Sequence, residues 1–410
     1  MYFKFSIWEG DLMKKHNAIK LANTRFIIVL LSILILFSFT LVSCSPKLDS
    51  SSSIYKYASE QGFSQEGYLY EKGDVLWFYD FESGQRVVLC NKPDCQHRPY
   101  SWDKNPDPEC NAVLPVEGPF SGFAMHDGFV YMFYYSGLNE TVVYRQNPDG
   151  DGQKLFAEFG WEIDFTSDIV FKDQMAYFVG EQSYLDEEGF VDSVKKKTAI
   201  LGLDLQTGKV SELTEVKDDY LHWIIQMQVI DDAVYYNYNY YDDEMELTEE
   251  DFYEANYDYL YSFIYKIDIN TGVEEQVFDI TECFFRYIGL DDKYIYLLSE
   301  DRSKVYSVNR EDNSEKVLFE GESIGHAYKS SHYLIFIKDL FSEDGFDCYF
   351  YDLSTGKTTQ VSRPDGEAFP SFIYEDLVVF SATLEDGTFT EVFMSIEDYL
   401  NGKTDYITIK

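Results

Sequence analysis

From about residue 70 onward, apolar and polar positions alternate in short runs, and each run opens on a polar pair. The runs read "GDVLWFY" at 73, "DGFVYMFYY" at 127, "KDQMAYFV" at 172 and "DDAVYYNYNY" at 231; they return as "DDKYIYLL" at 291, "SSHYLIFI" at 330 and "EDLVVFSA" at 375. Successive side chains of a strand point to opposite faces, so a period of two predicts strands. Val, Ile, Tyr and Phe suit a pleated, half-buried surface. A second unit follows each run, a strand, a tight polar turn and another strand: "FYDFESGQRVVL", "VYRQNPDGDGQKLF", "ILGLDLQTGKVSEL", "IYKIDINTGVEEQV", "VYSVNREDNSEKVL", "FYDLSTGKTTQV" and, more loosely, "VFMSIEDYLNGKTDYI". Counting either unit gives seven copies.

The turns carry the register of the repeat. Gln-Thr-Gly, Asn-Thr-Gly and Ser-Thr-Gly put glycine where positive φ is wanted. Gly84, Gly150, Gly208, Gly272, Gly356 and Gly402 lie 66, 58, 64, 84 and 46 residues apart, and the widest gap holds the fifth repeat, whose "EDNSE" turn lacks glycine. The last three repeats therefore run to about 40 to 46 residues, the length of a four-stranded propeller blade. Earlier repeats are longer through insertions, notably at 181–197 and 241–262. The predicted fold is all-β, a β-propeller of about seven blades over residues 63–410, since radial closure protects edges that one open sheet would expose. Six or eight blades fit if the chain ends share a blade, and a pair of smaller all-β domains is the alternative.

The N-terminus has a different pattern. Lys14, Lys15, Lys20 and Arg25 precede the apolar run "FIIVLLSILILFSFTLV", which ends in Leu41-Val42-Ser43-Cys44. A basic region, an apolar stretch and small residues at a cut site predict a secretory signal peptide over 1–43, with Met13 an alternative start. An uncleaved membrane anchor is the competing reading. Leu-Val-Ser-Cys resembles the bacterial lipobox, which implies that Cys44 is lipidated and becomes the mature N-terminus. Residues 44–62, with "SPKLDSSSS", then form a polar tether.

The "VYxxDxxTGxxxxL" units together with the lipobox resemble uncharacterised β-propeller lipoproteins of Gram-positive bacteria, whose blades are related to TolB-like and low-density-lipoprotein-receptor-like propellers. The resemblance covers nearly all the mature chain. It implies a lipid-anchored propeller on the extracytoplasmic face of the cell membrane and no particular activity, because propellers host many functions.

Composition narrows the partners. The formal net charge is -40 over 410 residues. That excludes nucleic acid, whose binding rests on phosphate neutralisation by Lys and Arg, and it excludes docking on anionic lipid through a basic face. Contact with the membrane is left to the N-terminal lipid.

Three stretches hold candidate chemistry. In "LCNKPDCQHRPYSWDKNPDPECNA", Cys90, Cys95, His97 and Cys110 supply three sulfurs and a nitrogen, a set suited in kind to zinc. The C-x4-C-x-H-x12-C spacing fits no common zinc motif, and Cys95 and His97 can share an ion only if the turn at Pro93 is sharp. A disulfide such as Cys95–Cys110, closing a long irregular loop, is the second reading, and free thiols the third. Cys283 and Cys348 lie in strand-like runs and read as buried small hydrophobes. In "NPDGDGQKLFAE", Asn147, Asp149, Asp151 and Glu158 match calcium-loop positions 1, 3, 5 and 12, but a hairpin turn belongs at the same place. The 241–262 insertion, with a capping box at Thr248 and Asp251, adds an aromatic set that would suit a binding surface: Tyr240, Tyr241, Phe252, Tyr253, Tyr257, Tyr259 and Tyr261. A self-packed helix on the propeller rim is its structural reading.

No catalytic motif stands out. A phosphate loop and H-E-x-x-H are absent, and the five histidines after the signal segment (His97, His126, His222, His326, His332) sit in no nucleophile motif. The expected function is a non-catalytic binding or scaffold module for a protein, peptide or envelope glycan. The alternative is a glycan-active hydrolase or lyase using carboxylates at the propeller channel.

Overall fold

The computed structural model describes residues 61–408, apart from 65, 102, 106–107, 114–119, 165–168, 186–190, 221, 242–259, 282–286, 322–323, 331, 339–345, 364–366, 375 and 385–386. The signal segment, Cys44, nearly all of the tether, Cys283 and the residues Phe252, Tyr253, Tyr257 and Tyr259 lie outside the described residues.

The chain forms a seven-bladed β-propeller in which every blade is an antiparallel sheet of consecutive strands. Blade 1 holds β1 (Gln61–Phe63), β2 (Gly67–Glu71), β3 (Leu76–Asp80) and β4 (Arg86–Val88). Blade 2 holds β5 (Phe120–His126), β6 (Phe129–Gly137), β7 (Glu140–Gln146) and β8 (Lys154–Phe159). Blade 3 has six strands: β9 (Glu162–Ile163), β10 (Val170–Lys172), β11 (Met175–Leu185), β12 (Val191–Asp204), β13 (Val210–Glu212) and β14 (Lys217–Tyr220). Blade 4 is β15 (His222–Ile230), β16 (Ala233–Tyr241), β17 (Leu260–Asp268) and β18 (Glu274–Asp279); blade 5 is β19 (Tyr287–Leu290), β20 (Tyr294–Leu298), β21 (Lys304–Asn309) and β22 (Glu315–Glu320). Blade 6 is β23 (Ile324–Lys329), β24 (Tyr333–Lys338), β25 (Phe346–Asp352) and β26 (Thr358–Arg363); blade 7 is β27 (Glu367–Tyr374), β28 (Leu377–Thr383), β29 (Phe389–Ser395) and β30 (Ile407–Thr408).

First strands of neighbouring blades pack on one another, β1 with β5, β10 with β15 and β19 with β23, so they are the innermost. The second strands are covered on both faces by adjacent blades, and β16 and β24 are buried almost throughout. That explains why their runs are aromatic and aliphatic at nearly every position. Outer strands such as β18 and β22 face water and are polar. The core accordingly divides into clusters between blades, such as Leu69, Leu76, Phe123, Val130 and Met132 between blades 1 and 2.

One turn design closes most outer hairpins. The Asp268 carboxylate accepts the backbone N–H of Asn270 and Thr271 at 3.0 and 2.8 Å, and the N–H of Gly272, at φ +69°, reaches the Asp268 carbonyl at 2.8 Å. Asp204 with Gly208 and Asp352 with Gly356 repeat it. The fifth repeat keeps the design without glycine. Asn309 takes the Asp position, and Asn313, at φ +56°, donates its N–H to the Asn309 carbonyl at 2.9 Å. Asparagine tolerates the left-handed region better than most residues.

Three expectations change. In blade 1 the "GDVLWFY" run is the third strand, whereas in the other six blades the matching run is the second of the four-stranded path (β11 after β10 in blade 3); the turn at Gly73–Asp74 has the same form one hairpin later. In the last repeat the outer turn is replaced by a short helix, α1 (Ile396–Leu400), capped by Ser395, whose hydroxyl accepts the Asp398 N–H at 3.1 Å. Among the described residues, no blade is shared between the chain ends. The ring closes by side-chain packing of Tyr68, Tyr70 and Tyr79 against Val379 and Phe393.

Antiparallel connectivity sorts the connections onto two faces. Hairpins joining first to second and third to fourth strands turn on one face, and these are short. Hairpins joining second to third strands, and the crossovers between blades, turn on the other. The 90–113 stretch and the ends of β11, β12, β16 and β17 at Leu185, Val191, Tyr241 and Leu260 therefore share that second face. The 181–197 segment extends the sheet: β11 and β12 run on past the blade as a ribbon, flanked by β9 and β14.

Candidate functional site

The four residues of the 90–110 stretch converge. Leu89 is held by its N–H bond to the Leu76 carbonyl at 3.0 Å, and a bond from the Cys90 N–H to Val88 at 2.7 Å turns the chain out of β4. A tight turn at Pro93–Asp94 follows, with the Cys95 N–H on the Lys92 carbonyl at 3.3 Å. Asp94 and His97 both take positive φ, +60° and +46°. Those two left-handed residues supply the sharp bend that the Cys95–His97 spacing demands. The imidazole Nδ1 of His97 lies 3.3 Å from Cys110 Sγ, and the ligand atoms of Cys90, Cys95, His97 and Cys110 all lie within 4.8 Å of one another. Cys110 is buried and the other three partly so.

Blade 2 clamps this loop from the side. Asn111 donates to the Gly150 carbonyl at 2.7 Å, Gln153 to the Asn111 carbonyl at 2.6 Å, and Gln146 to the Leu89 carbonyl at 3.3 Å. Gly150, at φ +81°, leaves no room for a side chain: a Cβ there would lie 2.6 Å from the Cys90 nitrogen. Within the loop, Asn105 bonds the carbonyls of Arg98 and Pro99, and Lys92 bonds that of Glu109.

The thiols differ in character. Burial raises the Cys90 thiol, but the N–H groups of Lys92 and Asn111 and the sulfurs of Cys110 and Cys95 outweigh it and hold the group below its ordinary value. Burial pushes the Cys110 thiol up to about 12, against the opposing N–H of Ala112. Cys90, Cys95 and Cys110 are free, with no Cys95–Cys110 bridge, and Cys348 is a fully buried member of the blade 6–7 core.

The calcium-loop residues do not gather. Asn147, Asp149 and Asp151 form the hairpin turn between β7 and β8, where the Asp151 N–H bonds the Asp149 carboxylate at 3.0 Å and the Asn147 N–H bonds the Asp151 carbonyl at 2.9 Å. Glu158 points out from β8 opposite Val142. Among the described residues, the cysteine–histidine set is the one group of three or more His, Cys, Asp or Glu donors close enough to share an ion.

A second feature lies on blade 4. Tyr236, Tyr238 and Tyr240 on β16 face Tyr265, Phe263 and Tyr261 on β17 across the register. Tyr236 stacks on Tyr265 at 5.5 Å, and Tyr240 stacks on Tyr261 at 5.4 Å and on Phe263 at 6.0 Å. Lys217 lies over Tyr238 and Tyr265 at 5.7 and 5.9 Å. The ladder runs from the buried Tyr236 to Tyr261, 37% exposed at the root of the 242–259 insertion. Tyr241, by contrast, is buried at 6% beside Trp223 and is not part of an open surface. Strand alternation separates it from Tyr240. The sequence reading had missed Tyr236, Tyr238, Phe263 and Tyr265; the matched every-second aromatics of the two strands were the available signal.

A third feature is charged. Glu162 on β9 and Glu181 on β11 are paired across the sheet, with Asp164 close by. Burial raises the carboxyls of both glutamates; Asp164 adds to the rise and Lys196, ion-paired to Glu181, opposes it. Farther along the ribbon, Tyr184 lies under Lys195 and Lys197 at 4.8 and 5.4 Å.

No protein-family model matches the chain, and no curated protein matches it. Solved structures do. An oligogalacturonate lyase in complex with manganese is 11% identical with a TM-score of 0.50, over 83% of this chain and 89% of that one. The oligogalacturonate lyase of Vibrio parahaemolyticus is 12% identical at 0.50, over 84% and 91%. A puromycin hydrolase is 8% identical at 0.50, over 89% of this chain but 56% of that one. Similarity at this level establishes the propeller fold and leaves activity open.

Proposed function

We propose that the chain is a non-catalytic binding or scaffold propeller, tethered by a lipid on Cys44 to the outer side of the cell membrane. It would take a neutral or basic ligand from the envelope, a protein, peptide or glycan, on the face where the long connections gather. The observation that supports this most is the aromatic ladder ending in Tyr240, Tyr261 and Phe263. Stacked rings supply contact area that is already ordered, so little side-chain entropy is lost on binding. The net charge of -40 disfavours polyanionic ligands.

The test is capture from the native envelope with the full chain, followed by titration of the captured ligand. Tyr261→Ala should weaken binding about tenfold or more, as for an aromatic anchor, with the Tm unchanged. Binding that is indifferent to Tyr261 and Tyr240 would remove the ladder from the interface.

One observation favours a second reading as a glycan-active lyase or hydrolase. Glu162 and Glu181 are neighbouring carboxyls whose pKa burial raises, the direction in which a general acid is tuned. Turnover on a panel of envelope and plant glycans, abolished by Glu162→Gln and Glu181→Gln, would establish that reading against the first.

A further inference from the structure

We propose that Cys90, Cys95, His97 and Cys110 form a structural zinc site that fastens the crossover between blades 1 and 2. The donors are three soft sulfurs and one imidazole, the set that zinc takes in closed tetrahedral sites and that hard cations such as calcium refuse. All four ligand atoms already lie within 4.8 Å of one another. Tetrahedral zinc with Zn–S bonds of about 2.3 Å would draw the sulfurs to about 3.8 Å apart, a small contraction.

The backbone around the sulfurs is held by blade 2: the Asn111 side chain, one residue after Cys110, donates to the Gly150 carbonyl at 2.7 Å, and a Cβ on Gly150 would collide with the Cys90 nitrogen.

The loop also needs a fastener. Between β4 and β5, among the described residues, the backbone has a single isolated bridge, Ser101 with Asn105. A stretch of that length without regular structure is uncommon in a compact domain unless something orders it. A disulfide would use two of the cysteines and give no reason for the third thiol and the imidazole to join them. Four protein ligands leave no open position for water, so the ion would hold the fold and not perform chemistry. His97 explains its own strain: a left-handed histidine is costly, and turning Nδ1 onto the cluster is what that conformation achieves.

The experiment uses the full chain purified in mild detergent, in parallel with and without reductant. Elemental analysis should find about one zinc per chain, the occupancy of a single closed site. Exchange with Co2+ should give the intense absorption of tetrahedral cobalt–thiolate. Cys95→Ser and His97→Ala should each cut retained zinc several-fold, while Cys348→Ser, in the remote core of blades 6 and 7, keeps it. Chelation of the unsubstituted chain should lower its Tm without altering its far-UV spectrum grossly, which separates metal loss from failure to fold. A chain lighter by two hydrogens and free of metal would overturn the proposal in favour of a disulfide. So would thiols at Cys90, Cys95 and Cys110 that stay titratable and metal-free when Zn2+ is supplied, or iron or copper in place of zinc.

Discussion

Phe393, on β29 in the last blade, stands edge-on to Tyr68, on β2 in the first, with ring centroids 5.5 Å apart and planes at 79°. Its ring also meets Tyr79 at 5.6 Å and Phe81 at 5.4 Å. With no strand exchanged between the ends among the described residues, this aromatic knot and the 2.5 Å bond from the Arg86 guanidinium to the Thr408 carbonyl hold the ring shut. Phe393→Ala should therefore cost about 3–5 kcal/mol, as large-to-small changes of a buried aromatic do. Urea unfolding measures it, with Phe389→Ala, at a position 64% exposed, as the control that changes little.

The turn aspartates predict acid sensitivity. Bonds from Ser354 and Thr355 hold the Asp352 carboxyl below its ordinary 3.8. A depressed folded pKa adds stability above the unfolded value and loses it as pH falls through the folded one. Asp352→Asn should keep the turn, as Asn309 does in blade 5, and flatten the acid limb of the Tm–pH curve. Asp352→Ala should lose stability at neutral pH as well.

Glu162 predicts the opposite slope. Burial and Asp164 raise its carboxyl above the ordinary 4.5. The stability tied to its protonated form is present below the unfolded value and is lost as pH rises through the folded one. Glu162→Gln should raise the Tm at pH 7, with the gain shrinking to nothing as the pH falls below about 4.5.

Two turn glycines separate conformational strain from collision. Gly272 has φ +69° and open space around it, so Gly272→Ala should cost about 1–2 kcal/mol, the penalty of a left-handed residue. Gly150 has φ +81°, and a Cβ added there would lie within 2.7 Å of the backbone of Leu89 and Cys90. Gly150→Ala should cost more, and should also disturb the accessibility of Cys90 to thiol reagents. Equal losses at the two sites would show that blade 2 does not clamp the loop.

What the sequence by itself determined is what local forces decide. Period-two burial and Asp-x-x-Thr-Gly turns are satisfied within one hairpin, so seven copies were countable and the propeller followed. Blade 1 was misread by one strand for the same reason, since an isolated turn pair does not say which hairpin it closes. Only the tertiary structure decided how the ring closes, that Tyr241 is buried while Tyr240 joins a ladder that reaches the surface at Tyr261, and that Asn147, Asp149 and Asp151 make a turn. It alone brought Cys90, Cys95, His97 and Cys110 together. Their meeting depends on two left-handed residues and on blade 2 pressing Gly150 against Leu89 and Cys90, contacts between segments some 60 residues apart, which no spacing along the chain encodes.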